Sequence, residues 1–105
     1  MIYYVSTERF SSTICPFLKY HGKALGGCLK SLTWEEIFFE RGGPIGHYIF
    51  TDFDRLSRYE LDCAAAFALA LEEAEPGALI LNHPLRVLER YPLLVKLHEA
   101  GINDF

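Results

Sequence analysis

The order of patterned segments after Gly46 constrains this chain most. "HYIFT" (His47 to Thr51) is an apolar run too short for a helix, bounded by Gly46 and Asp52, and it reads as a buried strand. Ser57 follows with Glu60 three residues later, the sequence signature of a capping box. It opens a long alanine- and leucine-rich helix, "RYELDCAAAFALALEEAE", which "EPG" ends. Leu61, Ala64, Ala65 and Ala68 share a stripe that Phe67 and Leu71 widen, so cover over most of the helix girth is expected. "ALILN" (Ala78 to Asn82) is the next buried strand. "HPLRVLERYPLLVKLHEAG" then has helical spacing, with Val87, Leu88, Tyr91, Leu94, Val95 and His98 on one face and Gly101 as the stop. Proline inside a regular helix costs about 3 kcal/mol, so two short helices or a kink are expected, with Pro92 opening the second.

Strand, helix, strand, helix in that order implies a parallel sheet joined by right-handed crossovers. The expected fold class is α/β, a small Rossmann-like three-layer unit with a short parallel sheet. "IYYVS" (Ile2 to Ser6) supplies a first strand. Thr7 to Gly46 reads as the least regular third, with a turn or two of helix at "TWEEIFFER", where Thr33 and Glu36 form another capping box. A length of 105 residues suits one domain spanning 1–105. The last residues, "INDF", read as the start of a further strand, so the domain is expected to be the amino-terminal part of a longer protein.

Composition narrows the function classes. The net charge of −4, with basic residues scattered, argues against nucleic acid as the main partner. No apolar run reaches the length of a membrane span and "MIYYVSTERF" is not a signal peptide, so a cytoplasmic protein is expected. Cys15, Cys28 and Cys63 form no C-x-x-C pair, and the spacing of Cys15, His21 and Cys28 matches no familiar metal site. "GKALGGCLKS" has its glycines, lysine and serine in the wrong order for a phosphate-binding loop, and there is no G-x-G-x-x-G.

In an open α/β sheet, ligands bind beyond the carboxyl ends of the strands. Two such ends are legible: Thr51, Asp52, Asp54 and Arg55 at one, Asn82 and His83 at the other. These six are the candidate substrate-binding residues, with helix N-termini at Ser57 and near Pro84 adding partial positive charge. No catalytic residue and no metal ligand is assigned.

"DFDRLS" resembles the D-x-D-x-T/V motif of haloacid-dehalogenase-type phosphatases, which implies Asp52 as nucleophile and Asp54 as acid/base. Leu56 and Arg55 depart from that pattern. A plainer reading has both aspartates shaping a strand-to-helix turn and pairing with Arg55 or Arg58.

The region Gly46 to Phe105, through "YIFTDFDRLS", "LNHP", "RVLERYPLLVKL" and "HEAGIN", resembles the amino-terminal region of bacterial ATP-grasp-type proteins, including glutathione-synthetase-like ligases. The resemblance implies a pre-ATP-grasp domain, noncatalytic by itself, that contributes to the acceptor-substrate side of a ligase site. It implies no cofactor in this chain, with ATP and Mg²⁺ held by the later core of the parent protein. The implied partner is that carboxyl-terminal ATP-grasp core. A free-standing interaction domain that forms a homodimer through an uncovered edge or apolar face is the other reading, motivated by Tyr3, Tyr4, Trp34, Phe38 and Phe39.

Overall fold

The computed structural model describes residues 1–25, 27–87 and 90–102, and the side chains at 90 and 91 are outside that description. The fold is α/β and Rossmann-like. Four strands, β1 (Ile2–Ser6), β2 (Leu29–Thr33), β3 (His47–Phe50) and β4 (Ile80–Leu81), form one sheet in the order β2-β1-β3-β4. Every pairing is parallel: Ile2 lies opposite Leu29 on one side and His47 on the other, and Tyr48 lies opposite Ile80. The helices are α1 (Ile14–His21), α2 (Trp34–Glu40), α3 (Arg58–Ala74) and α4 (Arg90–Glu99), with short 3₁₀ turns at Glu8–Thr13 and Phe53–Arg55.

Local chemistry explains the helix starts. Both capping boxes are present, Thr33 with Glu36 and Ser57 with Glu60, each satisfying two N–H groups at the first turn. The carboxyl end of α2 turns on Arg41, which adopts a left-handed φ of 56°. Gly101 does the same after α4, at φ 74°.

Alternation along the strands selects the core. Val5, Tyr48 and Phe50 point to one face with Leu32 and Ile80, and there they meet Trp34 and Ile37 of α2 and Ala64, Ala68 and Leu71 of α3. Trp34 stands at its centre, fully buried, with its ring 4.9 Å from that of Phe50. Right-handed crossovers put α1 on the opposite face from α2 and α3.

Four expectations are corrected. The segment from Thr7 to Gly46 is not the irregular third of the chain, since it carries α1 and the edge strand β2 besides α2. Only one side of α3 is covered: Ala64, Ala68 and Leu71 are buried, whereas Ala66 and Ala70 are exposed and Leu69 is 51% exposed. Pro84 opens a single turn rather than a helix, closed by Arg86 and Val87 N–H groups on the His83 carbonyl. Pro92 is the third residue of α4 rather than the first of a second helix. The first four N–H groups of a helix have no intrahelical partner, so proline there sacrifices no bond. The expected places of Leu88 on a helix face and of Asn103 to Phe105 in a further strand lie outside the described residues.

β4 is shorter than the sequence suggests, two residues instead of five. Side chains extend its attachment to β3. The Leu79 N–H donates to His47 Nδ1 at 2.8 Å, and Asn82 Nδ2 donates to the Phe50 carbonyl at 3.1 Å.

Candidate functional site

The chain leaves β1 toward β2 on one side and leaves β3 toward β4 on the other. The crevice between the carboxyl ends of β1 and β3 is therefore the switch point where doubly wound sheets bind ligands. Thr51 and Asp52 follow β3 directly into it. The Thr51 hydroxyl donates to the Val5 carbonyl at 2.7 Å, and the Thr51 carbonyl accepts from Trp34 Nε1 at 2.8 Å. Asp52 takes a left-handed φ of 64°, which aspartate tolerates better than most residues. That turn swings its carboxylate back toward β1, where Oδ2 accepts from the Thr7 N–H at 2.9 Å and the Thr7 hydroxyl at 3.1 Å. Its Oδ1 lies 3.9 Å from Arg55 Nε.

The remaining candidates divide between the mouth and the wall. Arg55 lays its guanidinium 3.4 Å above the Phe10 ring, and Asp54 is exposed with no bonded partner among the described residues. Asn82, also left-handed at φ 59°, ties the tip of β4 to the Phe50 carbonyl, so the two polar corners do stand side by side. His83 turns away from them. It is 4% exposed, its Nδ1 accepts from the Leu85 N–H at 3.2 Å, and its Nε2 faces the Glu72 carboxylate of α3, which Arg86 also approaches at 3.5 Å. The hydrogen on Nε2 follows from Nδ1 being an acceptor. The imidazole thus braces the turn after β4 through Nδ1 and stands against α3.

Sequence reasoning missed Thr7, Phe10 and Glu72, all drawn in by long-range contacts. It missed Ser6 as well, whose hydroxyl is buried at the tip of β1 with no hydrogen-bond partner among the described residues. Chemically, the arrangement offers few free groups. A phosphatase nucleophile needs an unencumbered carboxylate oxygen aimed at substrate, but Oδ2 of Asp52 is held by Thr7 and Oδ1 faces Arg55. Among the described residues no three His, Cys, Asp or Glu side chains converge. No described helix is long and apolar enough to cross a membrane.

No family model, curated protein or solved structure matches the chain.

Proposed function

We propose that this chain is a noncatalytic α/β docking domain, the layer that precedes the nucleotide-binding core of an ATP-grasp, carboxylate–amine ligase-like protein. The observation that carries the reading is how the strand tips are used. Thr51, Asp52, Asn82 and His83, four of the six candidate substrate-binding residues, are all bonded to the domain itself and brace the scaffold. Apolar side chains are meanwhile exposed on β4, on the turn after it and beyond α4, where Leu79, Leu81, Leu85 and Ile102 are 57–71% exposed. Single exposed apolar residues are ordinary, but several within one short stretch, as at Leu79, Leu81 and Leu85, suit a protein contact. In this reading Asp54 and Arg55, at the open mouth, face the acceptor-substrate side, while ATP and Mg²⁺ belong to the core.

The test uses the region encoded after Phe105. We expect this chain alone to show no ATP binding by calorimetry, the following region to bind ATP with Mg²⁺, and the two to associate when mixed. Leu81→Glu, on the exposed apolar surface, weakens that association. A following region without nucleotide binding, or an association indifferent to Leu81→Glu, overturns the proposal.

A further inference from the structure

A separate groove lies between α2 and α3. Helices α2 and α3 both start at carboxyl ends of strands and run back across the same sheet face. The former has 7 residues and the latter 17, so α2 cannot flank α3 along its whole length. Between them lies a groove of about 780 Å³, within the range of roughly 300–1,000 Å³ typical of small-molecule sites. Its floor is apolar: Ile37 and Phe38 from α2, Phe67 and Leu71 from α3, with the exposed Ala66 and Ala70 leaving the α3 flank open. It runs beside α3 from Tyr59 to Ala74, about 22 Å at 1.5 Å per residue.

One end of this groove is built rather than loose. The Arg41 N–H and the Gly42 N–H both close on the Ile37 carbonyl, the latter at 3.0 Å. The Tyr48 hydroxyl donates to the Pro44 carbonyl at 2.6 Å. A Cβ on Gly43 would stand 3.0 Å from the Tyr48 hydroxyl and 3.2 Å from the Phe67 ring, so a larger residue would have to press these rings back by a few tenths of an ångström. This loop presents Arg41 at the groove, and among the described residues its guanidinium has no ion-pair or hydrogen-bond partner. The carboxylate lining the opposite end, Glu60, is held by the Ser57 N–H at 2.9 Å.

An apolar trough with one free cation at one end and an acidic group at the other complements an elongated apolar body carrying a single negative charge. A lone guanidinium on a chain of net charge −4 favours a monoanion over a dianion. We propose that the α2/α3 groove binds a small amphipathic monocarboxylate, its carboxylate on Arg41 and its apolar chain along α3 over Ala70 and Ala66. The groove shares no residue with the β4–α4 surface, so this proposal stands or falls independently of the docking role.

The probe is sodium dodecanoate below its micelle concentration, with dodecanol as the uncharged control. Cys63 lines the groove and Cys15 and Cys28 are exposed, so alkylation is read on a Cys15→Ser/Cys28→Ser background. Dodecanoate is expected to bind saturably by calorimetry and to slow Cys63 alkylation. Arg41→Gln weakens dodecanoate about tenfold and leaves dodecanol unchanged, the factor expected for one charge-assisted bond. Ala70→Trp fills the trough and abolishes both effects, with Ala66→Leu as a second filling variant should Ala70→Trp disturb the fold by circular dichroism. Equal affinity for dodecanoate and dodecanol overturns the proposal, as does binding indifferent to Arg41→Gln or to both filling variants. So does Cys63 protection without any ligand in a self-associated chain, which would assign the groove to a second copy.

Discussion

Thr7 directs both its backbone N–H and its hydroxyl at one oxygen of Asp52, at 2.9 and 3.1 Å, across 45 residues of sequence. The bond pair spans the switch point, so the crevice where such sheets receive ligands is bridged by the protein's own carboxylate. Asp52→Ala removes the acceptor and leaves a partly buried N–H without a partner, at a cost of about 1–3 kcal/mol. Asp52→Asn keeps one acceptor oxygen and is expected to lose less. Urea midpoints followed by the fluorescence of Trp34, the chain's one tryptophan and fully buried, check the ranking. Equal stability for wild type and Asp52→Ala would refute it.

Ser6 makes the opposite case. A buried hydroxyl with no partner among the described residues carries its desolvation penalty and gains no bond from them. Ser6→Ala is therefore expected to match the wild type or exceed it by up to about 1–3 kcal/mol in the same titration. A clear loss of stability would show that the hydroxyl is in use.

Two glycines of the α2–β3 connection separate steric need from composition. At Gly46 an added Cβ would lie 2.8 Å from the Met1 carbonyl oxygen and 2.8 Å from the Tyr3 ring, whereas at Gly42 nothing lies within 4 Å. The Met1 carbonyl also accepts from the His47 N–H at 3.0 Å, so moving it strains the start of β3. Gly46→Ala is expected to cost about 1–3 kcal/mol. Gly42→Ala should stay within about 0.5 kcal/mol of wild type. Thermal melts of the two variants side by side decide this, and a reversed order would be incompatible with the geometry.

Burial, with a smaller contribution from the neighbouring Tyr3 phenol, holds the Tyr48 phenol well above its ordinary range. The folded state thus keeps a proton that the unfolded chain gives up. Its contribution is complete below the unfolded pKa of about 10 and is lost as the pH climbs above it. Stability should fall in strongly alkaline solution, and Tyr48→Phe should flatten that fall. At neutral pH the same substitution costs about 1 kcal/mol through the lost bond to the Pro44 carbonyl. Denaturation curves at neutral pH and above pH 10 test both parts.

Much of this architecture is local, and what is local was legible. Thr33 with Glu36 and Ser57 with Glu60 announce their helices within four residues, and "HYIF" and "IYYVS" are compact apolar runs. The first helix is harder to see because Pro16 is its third residue and glycines follow it. Like Pro92, that proline is tolerated where helical N–H groups lack intrahelical partners. β2 escapes notice because "LKSLT" is an edge strand with no buried residue and only a weak alternation. At the candidate site, the positions of Asp52 and Asn82 follow from being the polar residues that close the short strand runs ending at Thr51 and Leu81. Their partners do not: Thr7 lies 45 residues from Asp52, and no periodicity in the sequence encodes such a meeting. The exposed flank of α3 escapes the sequence because an alanine-rich helix looks apolar all round, while Ala64, Ala68 and Leu71, with Phe67 packed beside them, are what meet the core.

The shortness of β4 has a dynamic consequence. With only Ile80 and Leu81 zipped to β3, and side-chain clasps at either end, this seam is the easiest place for the sheet to breathe. Deuterium should enter the amides of 78–82 well before those of His47–Phe50, leaving a three-ribbon remnant intact while the outer ribbon peels away and reseals.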